Sequence, residues 1–206
     1  MYKNKVKIQD DNLSNYPQNE SQEIDECISL LAFAFRLQNG FNQNLIDKNC
    51  FTKSISIIGT GINIKENVFD KKSINTQFHN LILSTLGTLS IVVDTALDKT
   101  FGIKQSDSKD NIHSLRAFFY MLRCAFSHDA IHPQWKVKEK YQKDTYIVII
   151  PKEIMQQFYN NQNAMEKSFE FNFKNLNHKT VIIESFYGLD GLICLSLYAR
   201  FLTDIK

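Results

Sequence analysis

Little in this chain carries a strong compositional signature, and the absences narrow the field before any motif is read. Lysine and arginine (24) nearly balance aspartate and glutamate (22) over 206 residues, leaving a formal charge of +2. That is too mild for the broad electrostatic footprint of a dedicated duplex-DNA binder, so any nucleic-acid contact is expected to be local. The four cysteines, Cys27, Cys50, Cys124 and Cys194, are scattered without a C-x-x-C pair. This argues against a zinc ribbon or a dense disulfide framework and points to reduced thiols in a cytoplasm. No apolar stretch follows Lys3, Lys5 and Lys7, so no secretory signal is expected, and no apolar run reads as membrane-spanning. The pair Gly59 and Gly61 lacks the third, helix-opening glycine of a dinucleotide fingerprint and reads as a turn. There is no internal repeat, and no Ser-His-Asp or Cys-His arrangement can be read from residue order.

What is present is enough apolar material for a sizeable core, 43% of residues. Residues 1–20 are polar, rich in Asn, Gln and Asp and interrupted by Pro17, and are expected to form a flexible arm. Residues 21–206 read as one mainly helical domain with a β insertion around 134–185. A first helix starts near Ser21, with Ile24, Cys27, Ile28, Leu31 and Phe35 on one stripe, and ends near Asn39-Gly40. The stretch 52–69 alternates loosely and reads as a short hairpin or an irregular loop. A long helix is expected from about Asn75 to Lys99, stopped by Gly102. After a polar linker at 105–110, another runs to about His128, burying Ile112, Leu115, Phe119, Leu122 and Phe126; the two read as an antiparallel core pair. Trp135 to Val137 and Tyr146 to Ile150 read as a hairpin turning at Gln142 to Asp144, with Trp135 anchoring it on the helices. Further short strands are expected at Phe169 to Phe173 and Val181 to Ile183, and a closing helix from about Asp190 to Thr203.

The chemically informative stretch is Arg116-Ala-Phe-Phe-Tyr120-Met-Leu-Arg123-Cys-Ala-Phe-Ser-His128-Asp129, at the end of a helix. Cutting RNA without a metal requires a group to handle the 2′-hydroxyl or leaving-group proton and a cation to stabilise charge on the phosphate. Histidine titrates near neutrality and arginine offers a charged fork of donors, so His128 and Arg123 suit those roles. Residues five apart on an ideal helix point about 140° away from each other, so the pair converges only where the helix ends or a second subunit contributes. Arg116, Tyr120, Arg123 and Ser127 fall at i, i+4, i+7 and i+11, a polar stripe suited to phosphate and base contacts on a single strand. Asp129 is expected to orient His128 or cap the turn.

The spacing Arg123-x4-His128 resembles the R-x4-6-H signature of the HEPN superfamily. The resemblance continues in His132-Pro133-x-Trp135, a hairpin, and a closing helix introduced by Gly188-Leu-Asp-Gly191-Leu. It implies a HEPN-like helical bundle, a homodimer whose two motifs line one cleft, and a metal-independent endoribonuclease of toxin or defence type that needs no cofactor. Arg123 and His128 would be catalytic, with Arg116, Tyr120, Ser127 and Asp129 binding substrate, and single-stranded RNA and a cognate antitoxin or regulatory protein as partners. The superfamily often has a polar residue, commonly Asn, directly after the arginine; here it is Cys124. A catalytically inactive module binding RNA, nucleotide or protein is the alternative. A third reading takes His128-Asp129, with His113 and His132, as ligands of an HD-type metal phosphohydrolase.

Overall fold

The computed structural model describes residues 5–6, 19–47, 49–52, 55–57, 63–64, 71–102 and 110–205. The chain is mainly helical, with seven α-helices among the described residues and a small two-stranded antiparallel sheet. It divides into two compact units, 1–16 with 32–82 and 17–31 with 83–206. The long helices α1 (Glu20–Asn42) and α3 (Lys71–Phe101) each contribute residues to both units.

In the first unit, strand β1 (Lys5–Val6) pairs in parallel with β2 (Ile55–Ile57), which pairs antiparallel with β3 (Asn63–Ile64). Lys5 and Val6 thus belong to a sheet although the arm was expected to be flexible; residues 7–18 of that arm lie outside the described residues. Within the loosely alternating stretch 52–69, residues 55–57 and 63–64 form β2 and β3, while the turn expected at Gly59 and Gly61 lies outside the described residues. Short helix α2 (Asn49–Thr52) brings Phe51 edge-on to Phe41 and Phe78, with ring centroids 5.9 and 5.3 Å away. Phe41, Phe78 and Ile74 form the buried cluster of this unit, with Leu37 packed on it.

The second unit is built around α4 (Asn111–His128). Its start is fixed by Asp110, whose carboxylate accepts the backbone N–H of His113 at 2.8 Å, an N-cap that satisfies one of the free donors of the first turn. Ten of its 18 residues are buried, more than one amphipathic stripe supplies. Leu115, Phe119, Leu122 and Phe126 are buried as expected, Ile112 only partly, and Phe118, Met121 and Ala125 are buried as well.

The reason is that α4 is covered on more than one side. Strand β4 (Tyr146–Ile150) presents Tyr146, Val148 and Ile150 inward and packs on α4, while Phe171 of β5 (Lys167–Phe171) stacks on Phe118 with centroids 4.4 Å apart. Cross-helix contacts run Gly87 to Phe126, Asp94 to Arg123 and Asp98 to Arg116, an order that makes α3 and α4 antiparallel, as expected. Gly87 leaves room for the Phe126 ring, since a Cβ there would sit 3.2 Å from it. Helix α7 (Gly188–Asp204) completes the unit, and its Arg200 reaches Asp25 of α1 at 3.2 Å.

Two sequence expectations are corrected here. The partner of β4 is β5 and not the Trp135 segment, and the two strands are joined through an unforeseen helix, α5 (Lys152–Tyr159), after Pro151. Trp135 to Val137 instead run as an extended segment beside residues 178–181, with Trp135 N–H donating to the Lys179 carbonyl at 2.9 Å and His178 N–H to the Trp135 carbonyl at 2.8 Å. Trp135 is fully buried near Phe173, so it is an anchor, as expected, but of this segment. Phe173 opens the short helix α6 (Phe173–Leu176), and the strand expected at Val181 to Ile183 does not form: Val181 and Ile182 lie outside regular structure and Ile183 begins a 3-10 turn, Ile183–Phe186.

The edges of the β4–β5 sheet are occupied by side chains. The Asn111 amide donates to the Ile149 carbonyl at 2.5 Å and accepts the Ile149 N–H at 2.6 Å, on the outer edge of β4. The Tyr187 hydroxyl does the same for Glu170 on β5, at 2.9 and 3.1 Å.

Helix α3 is, against expectation, long and apolar enough to cross a membrane by length and composition, over Lys72–Phe101; 61% of its most apolar window is buried within the protein.

Candidate functional site

The last two turns of α4 and the segment that follows carry most of the site residues expected from the sequence. Asp94 is the one charged residue in the stretch 81–97 of α3, and its side chain is fully buried. The Arg123 guanidinium, about one-third exposed, meets it at 2.9 Å. A carboxylate removed from water needs such a partner, so Asp94 fixes where Arg123 stands. The guanidinium carbon Cζ lies 5.2 Å from the centre of the Tyr120 ring. The Tyr120 hydroxyl takes a hydrogen bond from the Lys138 ammonium. That contact holds the Lys138 proton more firmly and raises its pKa. Tyr141 lies 5.5 Å from Tyr120, and its phenol is pushed up to about 12, chiefly by burial. Arg123, Tyr120 and Lys138 therefore form a chain in which one aromatic ring touches two cations.

Comparison with protein families, with curated proteins and with solved structures gave no match. The site must be read from its own geometry.

His128 is exposed and is the last residue of α4. Helix α4 is unbroken from Arg123 to His128, so within one protomer the two side chains diverge by about 140°. Ser127 is exposed, with its hydroxyl returned to the Cys124 carbonyl at 3.0 Å. Asp129 caps the turn after the helix, accepting the backbone N–H groups of Ile131 at 2.9 Å and His132 at 2.8 Å, contacts that hold its carboxyl below the usual range.

Arg116 is the member of the expected stripe that does not join the site. It is 3% exposed, pairs with Asp98 at 3.0 Å and donates to the Gly102 carbonyl. Gly102, with φ +75°, ends α3 in the left-handed region, and a cation there satisfies the negative helix end. Arg116 is thus a tie between α4 and the end of α3, removed from solvent and from substrate. The stripe expected from spacing alone assumed an exposed face, whereas Ser114 to Phe119 are all buried and that face opens partly to solvent at Tyr120 and Arg123.

The HD-type ligand set is also dispersed. His113, held by Asp110 at 2.7 Å, stands 15 residues before His128 on one helix, about 22 Å along its axis. Among the described residues, no group of three or more His, Cys, Asp or Glu side chains is placed to hold one metal ion.

Sequence reasoning missed Asp94 and Lys138. Asp94 had a legible signal, a single charge inside an otherwise apolar helix, which requires a partner. Lys138 had none, because its proximity to Tyr120 depends on the path of the segment after Pro133.

Proposed function

We propose that this chain is a HEPN-like, metal-independent endoribonuclease acting on single-stranded RNA as a homodimer. The observation that carries the reading is an Arg123 braced by the buried Asp94, five residues before an exposed His128 at the terminus of the same helix. A fixed, partly exposed guanidinium suits a phosphate, and a solvent-facing imidazole suits proton transfer. His128 takes the proton of a 2′-hydroxyl, whose oxygen attacks the adjacent phosphorus. The bond to the 5′-oxygen breaks, that oxygen is protonated, and a 2′,3′-cyclic phosphate remains. Arg123 stabilises the charge gathering on the non-bridging oxygens. Because the two side chains diverge within α4, the site takes Arg123 from one copy and His128 from the other, which is why a dimer is part of the proposal. A toxin or defence role, a regulatory partner protein and a reducing, cytoplasmic setting accompany this reading; four free cysteines fit the last.

The test is cleavage of single-stranded RNA in excess EDTA, comparing wild type with His128→Ala. The expected loss is about a hundredfold to ten-thousandfold in rate with RNA affinity within a few fold. A protein that binds RNA but never cuts it is the inactive-module alternative, for which Cys124 beside Arg123 is the favouring residue. Activity abolished by chelation and restored by a divalent ion refutes the proposal, as does a monomer by light scattering with and without RNA.

A further inference from the structure

By spacing alone, Tyr120 is a surface on which a base could stack. The structure gives it another occupation. Its ring has Arg123 at 5.2 Å and Tyr141 at 5.5 Å, and its hydroxyl holds Lys138. The centroid of the ring is 5.0 Å from the Lys138 nitrogen, but because that nitrogen also touches the hydroxyl, it approaches the oxygen end of the ring and not its face. With these neighbours the ring is poorly placed to receive a nucleobase. It is well placed to set the position of two cations.

We propose that Lys138 is a second phosphate anchor, positioned by the Tyr120 hydroxyl, so that this surface grips two phosphates of one RNA strand, one at Arg123 and one at Lys138. The inference rests on the reading of this site as RNA-binding and adds to it a residue and a division of labour. Lys138 is exposed and retains donors beyond the one given to Tyr120. Its neighbours Trp135 and Val137 are buried, which fixes the extended segment, and Lys136 and Lys138 alternate with them toward solvent. An ammonium on a free surface stem is a diffuse charge. One tethered to a tyrosine beside a braced arginine loses less freedom when phosphate arrives.

The experiment measures the affinity of a short fluorescein-labelled 2′-O-methyl single-stranded RNA, which cannot be cut through its 2′-oxygen, across a salt series. Removing one cation that neutralises a phosphate should lower the slope of log K against log salt by about 0.7. Lys138→Ala should show that decrease, Lys138→Arg should keep the wild-type slope, and Lys152→Ala, at the far end of α4 where Asn111 meets β4, should leave it unchanged. Tyr120→Phe keeps the ring beside Arg123 and removes only the tether. It should weaken binding, and adding it to Lys138→Ala should weaken it no further. If the slope survives Lys138→Ala while Asp94→Asn or Arg123→Lys reduces affinity, the second anchor is refuted and the RNA site stands. Equal slope decreases for Lys138→Ala and Lys152→Ala refute it in favour of diffuse charge. Wild-type protein that does not bind the RNA overturns both proposals.

Discussion

Removing Arg123 should harm the fold as well as the site, which bears on how any loss of activity is interpreted. Asp94 is fully buried and Arg123 is about one-third exposed, so the two ends of the 2.9 Å pair are not equivalent. Arg123→Ala leaves a carboxylate in the protein interior without its guanidinium. Breaking a fully buried pair costs about 3–5 kcal/mol, and the partial solvent access at Arg123 reduces this to about 2–3 kcal/mol. Asp94→Asn removes the charge from the buried end, keeps a similar shape, and leaves a guanidinium that can reach water, so about 1–1.5 kcal/mol is expected. Arg123→Ala should therefore be the more damaging change, and the double variant should cost less than the sum of the singles. Urea denaturation followed by far-UV circular dichroism at neutral pH measures all three. Equal small losses, below about 0.5 kcal/mol, or a larger loss for Asp94→Asn, would refute the account of Asp94 as the buried brace.

Other substitutions separate core from site. Phe119→Ala, at a fully buried ring against Phe118, should cost about 3–5 kcal/mol in the same assay. Arg116→Ala should lower stability by an amount comparable to Arg123→Ala and leave RNA affinity in the folded protein unchanged, because Arg116 is tied to Asp98 and Gly102. Asp190, held below its usual 3.8 chiefly by the Lys167 hydrogen bond, should stabilise the fold above that pH and lose the contribution as pH falls through the lower folded value; the gap in urea midpoint between wild type and Asp190→Asn should be present at pH 7 and vanish in strong acid.

The helical framework was legible because its signals are local. The apolar periodicity of α3 and α4 and Gly102 as a stop all act within a few residues. The β region was misread for the opposite reason. Tyr146 to Ile150 alternates as a strand should, but its partner depends on where the chain returns, and the intervening α5 carries it to Phe169 and Phe171. The same limit applied at the site. Spacing put Arg116 on a stripe with Tyr120 and Arg123, but could not show that Arg116 is buried against Asp98 and Gly102 at the end of α3. Arg123 and His128 were legible as residues, whereas their supports, Asp94 and Lys138, come from other elements.

The side chains at the edges of the β4–β5 ribbon bear on how copies of this chain can meet. An open ribbon edge invites a third strand from a neighbouring molecule. Here an incoming strand would first have to dislodge the Asn111 amide from Ile149 or the Tyr187 hydroxyl from Glu170, exchanging two short intramolecular hydrogen bonds for intermolecular ones. Asn111 is also joined to the Tyr198 hydroxyl at 2.8 Å, so the obstacle on β4 is moored to α7. Extension of the β4–β5 ribbon by a strand from another molecule is thereby disfavoured.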